Sequence, residues 1–226
     1  MRRRGEPGGP GPAVEGGVDG VLRIVEHPLV KVHVARLRDR TAPPDVFRRH
    51  LTAITRLMAF PALADLEVTG EPVLTPLAAA PGYRLARPPV LVPVLRAGLG
   101  MVEAFLDLAP EAAVSHLGLY RDHATLKPVR YYANFPPALA ERPVVLLDPM
   151  LATGGSAVDA LNFLKEQGAR NLRLVNIIAA PEGIARVEAL HGDVPIYAAQ
   201  VDDGLNADAY IVPGLGDAGD RQFGTL

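Results

Sequence analysis

The pattern that most constrains this fold lies between Val90 and Ala179. Four short apolar runs rich in β-forming residues recur there: Val90–Leu95, Val114–Leu119, Val144–Leu147 and Leu172–Ala179. Helical segments near 99–108, 155–167 and 182–191 separate most of them. Strands that are apolar throughout are buried on both faces. Their alternation with helices implies a sheet covered by helices on both sides. The expected class is therefore α/β, a mostly parallel sheet flanked by helices. In such sheets ligands sit outside the carboxyl ends of the strands. The chemistry is thus sought in the loops after Leu95, Leu119, Leu147 and Ala179.

Two helices are expected ahead of this core, roughly at 28–40 and 43–59. The second opens with Pro43 and Pro44, which suit a helix start, and sets Ile54, Leu57 and Met58 on one face. Residues 1–20 differ in kind. Half are Gly or Pro, and only Met1, Ala13, Val14 and Val18 are apolar. Such a stretch cannot offset its ordering entropy by burial. The expected organisation is a flexible tail over 1–20 and one domain over 21–226.

Composition narrows the function. A net charge of -2 and 5% aromatic residues give no footprint for nucleic acid. The absence of cysteine excludes disulfides, thiolate metal sites and a cysteine nucleophile. No apolar run reaches the roughly 18 residues of a membrane span. Arg2, Arg3 and Arg4 are followed by Gly and Pro rather than a signal core. A cytoplasmic protein is expected, with neither nucleic acid nor membrane as partner.

The strongest local signal is PVVLLDPMLATGGS at 143–156. An apolar strand delivers Asp148 to its carboxyl end, a Gly-rich turn follows, and a helix starts near Gly155. Thr153, Gly154, Gly155 and Ser156 stand where backbone N–H groups at a helix start point at an anion. A phosphate must approach that backbone closely, which glycine permits. A P-loop for nucleoside triphosphates would need a lysine after the glycines, and none follows Gly155. A carboxylate at the mouth of a phosphate cradle suits a sugar phosphate, with Asp148 accepting two vicinal hydroxyls. The plain alternative, a loop whose Thr caps a helix, does not account for Asp148.

Strand, Asp and ATGGS together resemble the phosphoribosyl-pyrophosphate signature of type I phosphoribosyltransferases. Most of that family carry two adjacent acids, whereas here Pro149 follows Asp148. The form DPMLATGGS resembles the uracil phosphoribosyltransferases in particular. The resemblance spans about 21–226 and includes HPLVK at 27–31, PVLRAGLGM at 93–101, AAPEG at 179–183, DDGLNADAY at 202–210 and GLGDAGD at 214–220.

The resemblance implies that phosphoribosyl pyrophosphate is held by Asp148, Pro149, Met150, Leu151, Ala152, Thr153, Gly154, Gly155 and Ser156, with Arg96, Arg121 and Asp217. The two arginines, each at a strand end, would grip diphosphate oxygens, and Gly98 and Gly100 would let the first turn come close to the ligand. Uracil is expected against the main chain of Ile211, Gly216 and Ala218, with Asp217 beside the ring and the ribose, in a small C-terminal base-binding hood. Such a slot rejects cytosine, whose donor and acceptor are exchanged, because mismatched buried polar groups cost about 1–3 kcal/mol each. Asp148, Arg121 and Asp217 are the expected catalytic residues. Asp217 is read as orienting the base, because an exposed carboxylate is a weak base.

The implied cofactor is Mg2+, carried mainly by the diphosphate substrate, with no protein metal ligand. Residues 122–135 correspond to a β-arm that covers the substrate and helps form a dimer, so a homodimer or higher homo-oligomer is expected, with GTP as a possible effector. The arm carries Asp122, His123 and Ala124, with Ala124 standing where related sequences carry Glu, and His123, Lys127 and Arg130 are read as solvated. Asp202, Asp203 and Asn206 are read as structural. Two rivals remain: an RNA-binding regulator, which needs a basic face with exposed aromatics, and a purine transferase, which needs a ring to stack on the larger base.

Overall fold

A computed structural model describes residues 21–121 and 128–225. In chain order the elements are β1 (Leu22–Ile24), α1 (Pro28–Arg38), α2 (Pro44–Ala62), four short strands β2 (Val68–Gly70), β3 (Val73–Leu74), β4 (Ala79–Ala80) and β5 (Tyr83–Leu85), then β6 (Val90–Pro93) and α3 (Leu99–Leu106). There follow β7 (Ala113–Val114), β8 (Leu117–Arg121), β9 (Pro128–Ala133), β10 (Pro143–Leu147), β11 (Met150–Leu151), α4 (Gly155–Glu166), β12 (Asn171–Ala179), α5 (Pro181–His191) and β13 (Ile196–Val201). The chain closes with β14 (Gly204–Leu205), β15 (Ile211–Val212) and α6 (Ala218–Phe223).

The central sheet runs β1-β13-β12-β10-β6-β7, with β11 also on β12, and every pairing is parallel. Its strands alternate between two cores, as the two-residue period demands. Val145 and Leu147 face α1, α2 and α3, whereas Val144 and Leu146 face α4 and α5. Arg173 on β12 is the large charged side chain that this packing swallows. It pairs with Asp65 and the Ala62 carbonyl at the end of α2.

Three expectations are corrected. The run Val114–Leu119 is not one strand. Ser115 N–H donates to Leu91 O at 2.8 Å, His116 interrupts the ladder, and Leu117 makes a last parallel bridge to Val94. β7 stays with the sheet, while β8 pairs antiparallel with β9 as a ribbon, with a register shift at Gly118/Leu119. The strands β1 and β13, and the excursion β2–β5, were not expected. β1 has three residues, and its register on Ile196–Ala198 is set by the sheet rather than by its own pattern. Finally, residues 218–223 form a helix where an irregular loop was expected.

Candidate active site

Adjacent parallel strands β6 and β10 end side by side, and the chain leaves both at the same edge. After β10, Asp148 N–H donates to Val175 O at 3.2 Å. Asn176 Nδ2 donates to Asp148 O at 2.6 Å, and Pro149 O accepts from Ile177 and Ile178 N–H. The backbone on both sides of the Asp148 carboxyl is thereby fixed. β11 then rejoins the sheet beside Ile178 and Ala179.

The Asp148 carboxyl accepts one backbone hydrogen bond, from Met150 N–H at 3.3 Å, and no described cation pairs with it. Part of the side chain stays open, yet the carboxyl lies deep among its neighbours. This desolvation outweighs the hydrogen bond and pushes its pKa up to about 7. A carboxylate held this way gains from any ligand that brings hydroxyl donors or positive charge.

The turn beyond it leads into α4. Thr153 and Ser156 are exposed, Gly155 N–H reaches Thr153 Oγ1 at 3.4 Å, and α4 begins at Gly155. Gly154 sits at φ +76, a left-handed conformation that favours glycine, and a Cβ there would lie 2.9 Å from Gly183 O. The start of α5 thus packs over the turn. Pro149, Met150, Leu151 and Ala152 form the wall behind it, with Leu151 buried.

The loop after β6 is tied to the same place. Val94 N–H donates to Leu147 O at 2.9 Å. A Cβ on Gly98 would come within 2.3 Å of that oxygen, and one on Gly100 would strike Gln222. These glycines therefore make room for the protein's own chain. The Leu95–Arg96 peptide is cis. Arg96 is exposed and reaches α6, donating to Asp220 Oδ1 at 2.8 Å. Arg121 closes β8, but its side chain, like that of Arg130 and all of Asp122, His123, Ala124 and Lys127, lies outside the described residues.

The hood hangs on buried polar contacts. Asp202 takes both terminal nitrogens of Arg38, at 2.9 and 2.5 Å, and accepts from Gly214 N–H at 2.9 Å. Asn206 Oδ1 accepts from Asp208 and Tyr210 N–H, closing the turn between β14 and β15. Arg221 lies over the Phe47 ring and donates to the carbonyls of Leu37, Leu215 and Asp39. Ile211 and Ala218 are buried, at 5% and 3% exposure, with both in the core cluster. Gly216 is exposed at φ +76. Asp217 is also exposed, and it caps α6 by accepting from Asp220 N–H at 2.9 Å.

The structure therefore joins the Asp148 turn to the Arg96 loop, and the Arg96 loop to the helix that follows Asp217. A separate cleft of about 420 Å³ between α2, α3 and α6 contains, of the residues expected near a ligand, Gly100 alone. Sequence reasoning missed Asn176, Gly183, Asp220 and Gln222. Asn176 was visible, with Arg173, as a polar residue within an apolar strand run, and Asp220 as the second acid of GDAGD.

A sequence profile of the family described as uracil phosphoribosyltransferase matches residues 24–225. The chain belongs to the uracil phosphoribosyltransferase family. It is 51% identical over 203 residues to the uracil phosphoribosyltransferase of Thermoanaerobacter sp. (strain X514), covering 89% of this chain and 97% of that one. It is 52% identical over 204 residues to the enzyme of that name from Roseiflexus sp. (strain RS-1), covering 90% and 98%. Among solved structures, the AQ2163 protein from Aquifex aeolicus superposes with a TM-score of 0.83 at 36% identity, over 89% of this chain and 97% of that one. A hypoxanthine phosphoribosyltransferase from Staphylococcus aureus shares the fold at a TM-score of 0.51 and 10% identity, over 81% and 91%. Membership in the uracil phosphoribosyltransferase family makes this chain a pentosyltransferase. It also disfavours the RNA-binding and purine alternatives left open by the sequence.

Proposed function

We propose that this enzyme transfers the phosphoribosyl group of 5-phospho-α-D-ribose 1-diphosphate to N1 of uracil, giving UMP and diphosphate. The observation that carries this reading is the joining of three segments at one sheet edge: the Asp148 turn, the Arg96 loop and the Gly216–Ala218 approach to α6.

The bond from ribose C1 to diphosphate oxygen breaks, the N1–C1 bond forms, and the N1 proton leaves. Asp148 accepts the two ribose hydroxyls, and the N–H groups at the start of α4, with Thr153 and Ser156, hold the 5-phosphate. Arg96 and Arg121 take the charge of the departing diphosphate. Binding both substrates in one frame removes much of the entropic barrier. Asp217 orients uracil, since its carboxylate is already engaged as a helix cap. The backbone of Ile211, Gly216 and Ala218 reads the ring.

Magnesium fits this site as a guest of the diphosphate. No group of three His, Asp or Glu among the described residues could cage it, and Asp148 is a desolvated carboxylate without a cationic partner there. When bound, the ion neutralises diphosphate charge.

A homo-oligomer is proposed on the exposed apolar side chains of the β2–β5 excursion, where Leu74 and Leu77 are 88% and 97% exposed. GTP as an effector follows the family resemblance, and initial rates with and without GTP test it. A cytoplasmic location accords with the lack, among the described residues, of any helix long and apolar enough to cross a membrane. The deciding assay supplies labelled uracil, phosphoribosyl pyrophosphate and magnesium. Labelled UMP is expected, with hypoxanthine and guanine failing to compete. Its absence, or efficient use of a purine, overturns the reading.

A further inference from the structure

We propose that Asp220 is a positioning residue for the diphosphate end of the site, holding the Arg96 guanidinium in place and tying it to the helix that carries the base loop. This rests on the reading of Arg96 as a diphosphate-binding residue.

The contact is a three-membered cluster. Arg96 Nη2 donates to Asp220 Oδ1 at 2.8 Å, the Thr225 hydroxyl donates to the same oxygen at 2.6 Å, and Arg96 Nη1 reaches Thr225 Oγ1 at 3.4 Å. The hydroxyl of Thr225 first, and Arg96 second, hold the Asp220 carboxyl below its ordinary pKa, so it is ionised wherever the enzyme works. The pair is open to water, with side-chain exposures of 57% for Arg96 and 29% for Asp220. A pair so exposed adds little stability. Its effect is directional: the guanidinium is gripped along its Nη edge, and Nε–H has no partner among the described residues. Arginine has five donors in a rigid fork, so fixing one edge aims the rest.

Asp220 is itself held from three sides. Its N–H is taken by the Asp217 carboxylate, and its carbonyl accepts from Gly224 and Thr225 N–H at 2.8 and 3.2 Å. Two residues along, Gln222 Nε2 donates to Ala97 O at 2.8 Å, fixing the residue after Arg96. Gly219 passes between the two acids. A Cβ there would lie 3.1 Å from Asp217 Oδ1 and 3.8 Å from Arg96 Nη2. Two side chains of α6 therefore grip residues 96 and 97, while Ala218, the first residue of the same helix, ends the base loop. The two subsites share one rigid element, and Asp220 is its charged link.

The test uses the full-length enzyme and measures inhibition by diphosphate and by UMP, together with both KM values, in Asp220→Asn, Asp220→Glu, Thr225→Val and Arg96→Ala. Diphosphate reports the Arg96 end, and UMP reports the phosphate cradle and base loop. Asp220→Asn keeps the shape and weakens a charge-assisted bond, so the diphosphate inhibition constant and the KM for phosphoribosyl pyrophosphate should rise about five- to twentyfold. UMP inhibition and the KM for uracil should stay within about twofold. Asp220→Glu should recover part of the loss, and Thr225→Val should act in the same direction more weakly. If Asp220→Asn leaves diphosphate binding unchanged or tightens it while Arg96→Ala weakens it, the positioning role is overturned and the reading of Arg96 stands. If UMP weakens as much as diphosphate, Asp220 only maintains α6 and the proposal fails. If Arg96→Ala spares diphosphate, the reading of Arg96 fails and the proposal with it.

Discussion

Gly183 faces the Ala152 carbonyl so closely that a Cβ on Gly183 would lie 2.4 Å from that oxygen and 2.8 Å from the Leu151 oxygen. The AAPEG segment thus presses the start of α5 against the back of the turn that follows Asp148. Neither carbonyl belongs to a flexible side chain that could swing aside. Gly183→Ala is expected to displace the turn, with an overpacking cost of about 1–3 kcal/mol. The KM for phosphoribosyl pyrophosphate should rise by roughly tenfold or more. Steady-state kinetics of a variant that still melts cooperatively check this.

Asp148 links stability to pH with a definite sign. Its pKa is raised from 3.8 to about 7, so the folded state binds this proton more tightly than the unfolded chain. That contribution is complete below the unfolded pKa and is lost as pH rises through about 7. Asp148→Asn removes the charge that the fold must desolvate. It should raise the melting temperature by several degrees at pH 8–9 and leave it unchanged near pH 4. The same change should lower turnover at least about tenfold, because the ribose hydroxyls lose a charged acceptor. In the wild type, kcat/KM for phosphoribosyl pyrophosphate should fall as pH drops below about 7. Thermal melts across pH and a pH–rate profile test both halves.

Asp202 is predicted to be structural. Its carboxylate, 2% exposed, is matched by Arg38 and by Gly214 N–H. Removing one partner of a buried pair costs about 3–5 kcal/mol. Asp202→Ala should therefore lower the melting temperature by roughly 6–20 °C, at the 2–4 °C per kcal/mol expected for a chain this long. The drop should be the same with and without magnesium. A drop seen only with magnesium would make Asp202 a metal ligand instead.

The base loop separates backbone from side-chain effects. A Cβ on Gly216 meets nothing closer than Arg221 Cδ at 3.6 Å, so the penalty for Gly216→Val comes from φ +76 rather than from crowding. A branched residue there is strained by at least about 1–2 kcal/mol, and uracil affinity should fall about tenfold. Ala218→Gly should be mild. Asp217→Asn keeps a good helix cap, so stability should hold while turnover falls. Asp217→Ala also loses the cap, worth about 1 kcal/mol. Uracil titration, turnover and melting temperature for the four variants resolve these effects. Wild-type uracil affinity in Gly216→Val would remove the base from this loop.

Much of this was legible in the chain because the relevant signals are local. Strand–helix alternation announced the parallel sheet, and its rule for carboxyl ends located Asp148 and Arg96. Helices α1 to α5 fall within a few residues of their expected bounds, since proline starts and apolar periodicity act over one or two turns. Where a boundary depended on a distant partner, the reading failed. The run Val114–Leu119 breaks after Ser115, where the ladder with β6 gives way to pairing of Leu117 with Ala133 on β9.

What the sequence by itself determined is the class of sheet, the Gly-rich turn that follows Asp148, and, through DPMLATGGS and GLGDAGD, the family. The tertiary structure alone decided that Gly98 and Gly100 serve the chain's own packing, that Asp217 caps a helix, and that Arg96 rests on Asp220 124 residues away. The physical reason is range. Propensity, capping and turn chemistry act between neighbours and leave marks in the order of residues. An ion pair across the hood, or a desolvated carboxyl, depends on where the sheet edge and α6 come together, and no short stretch of sequence carries that.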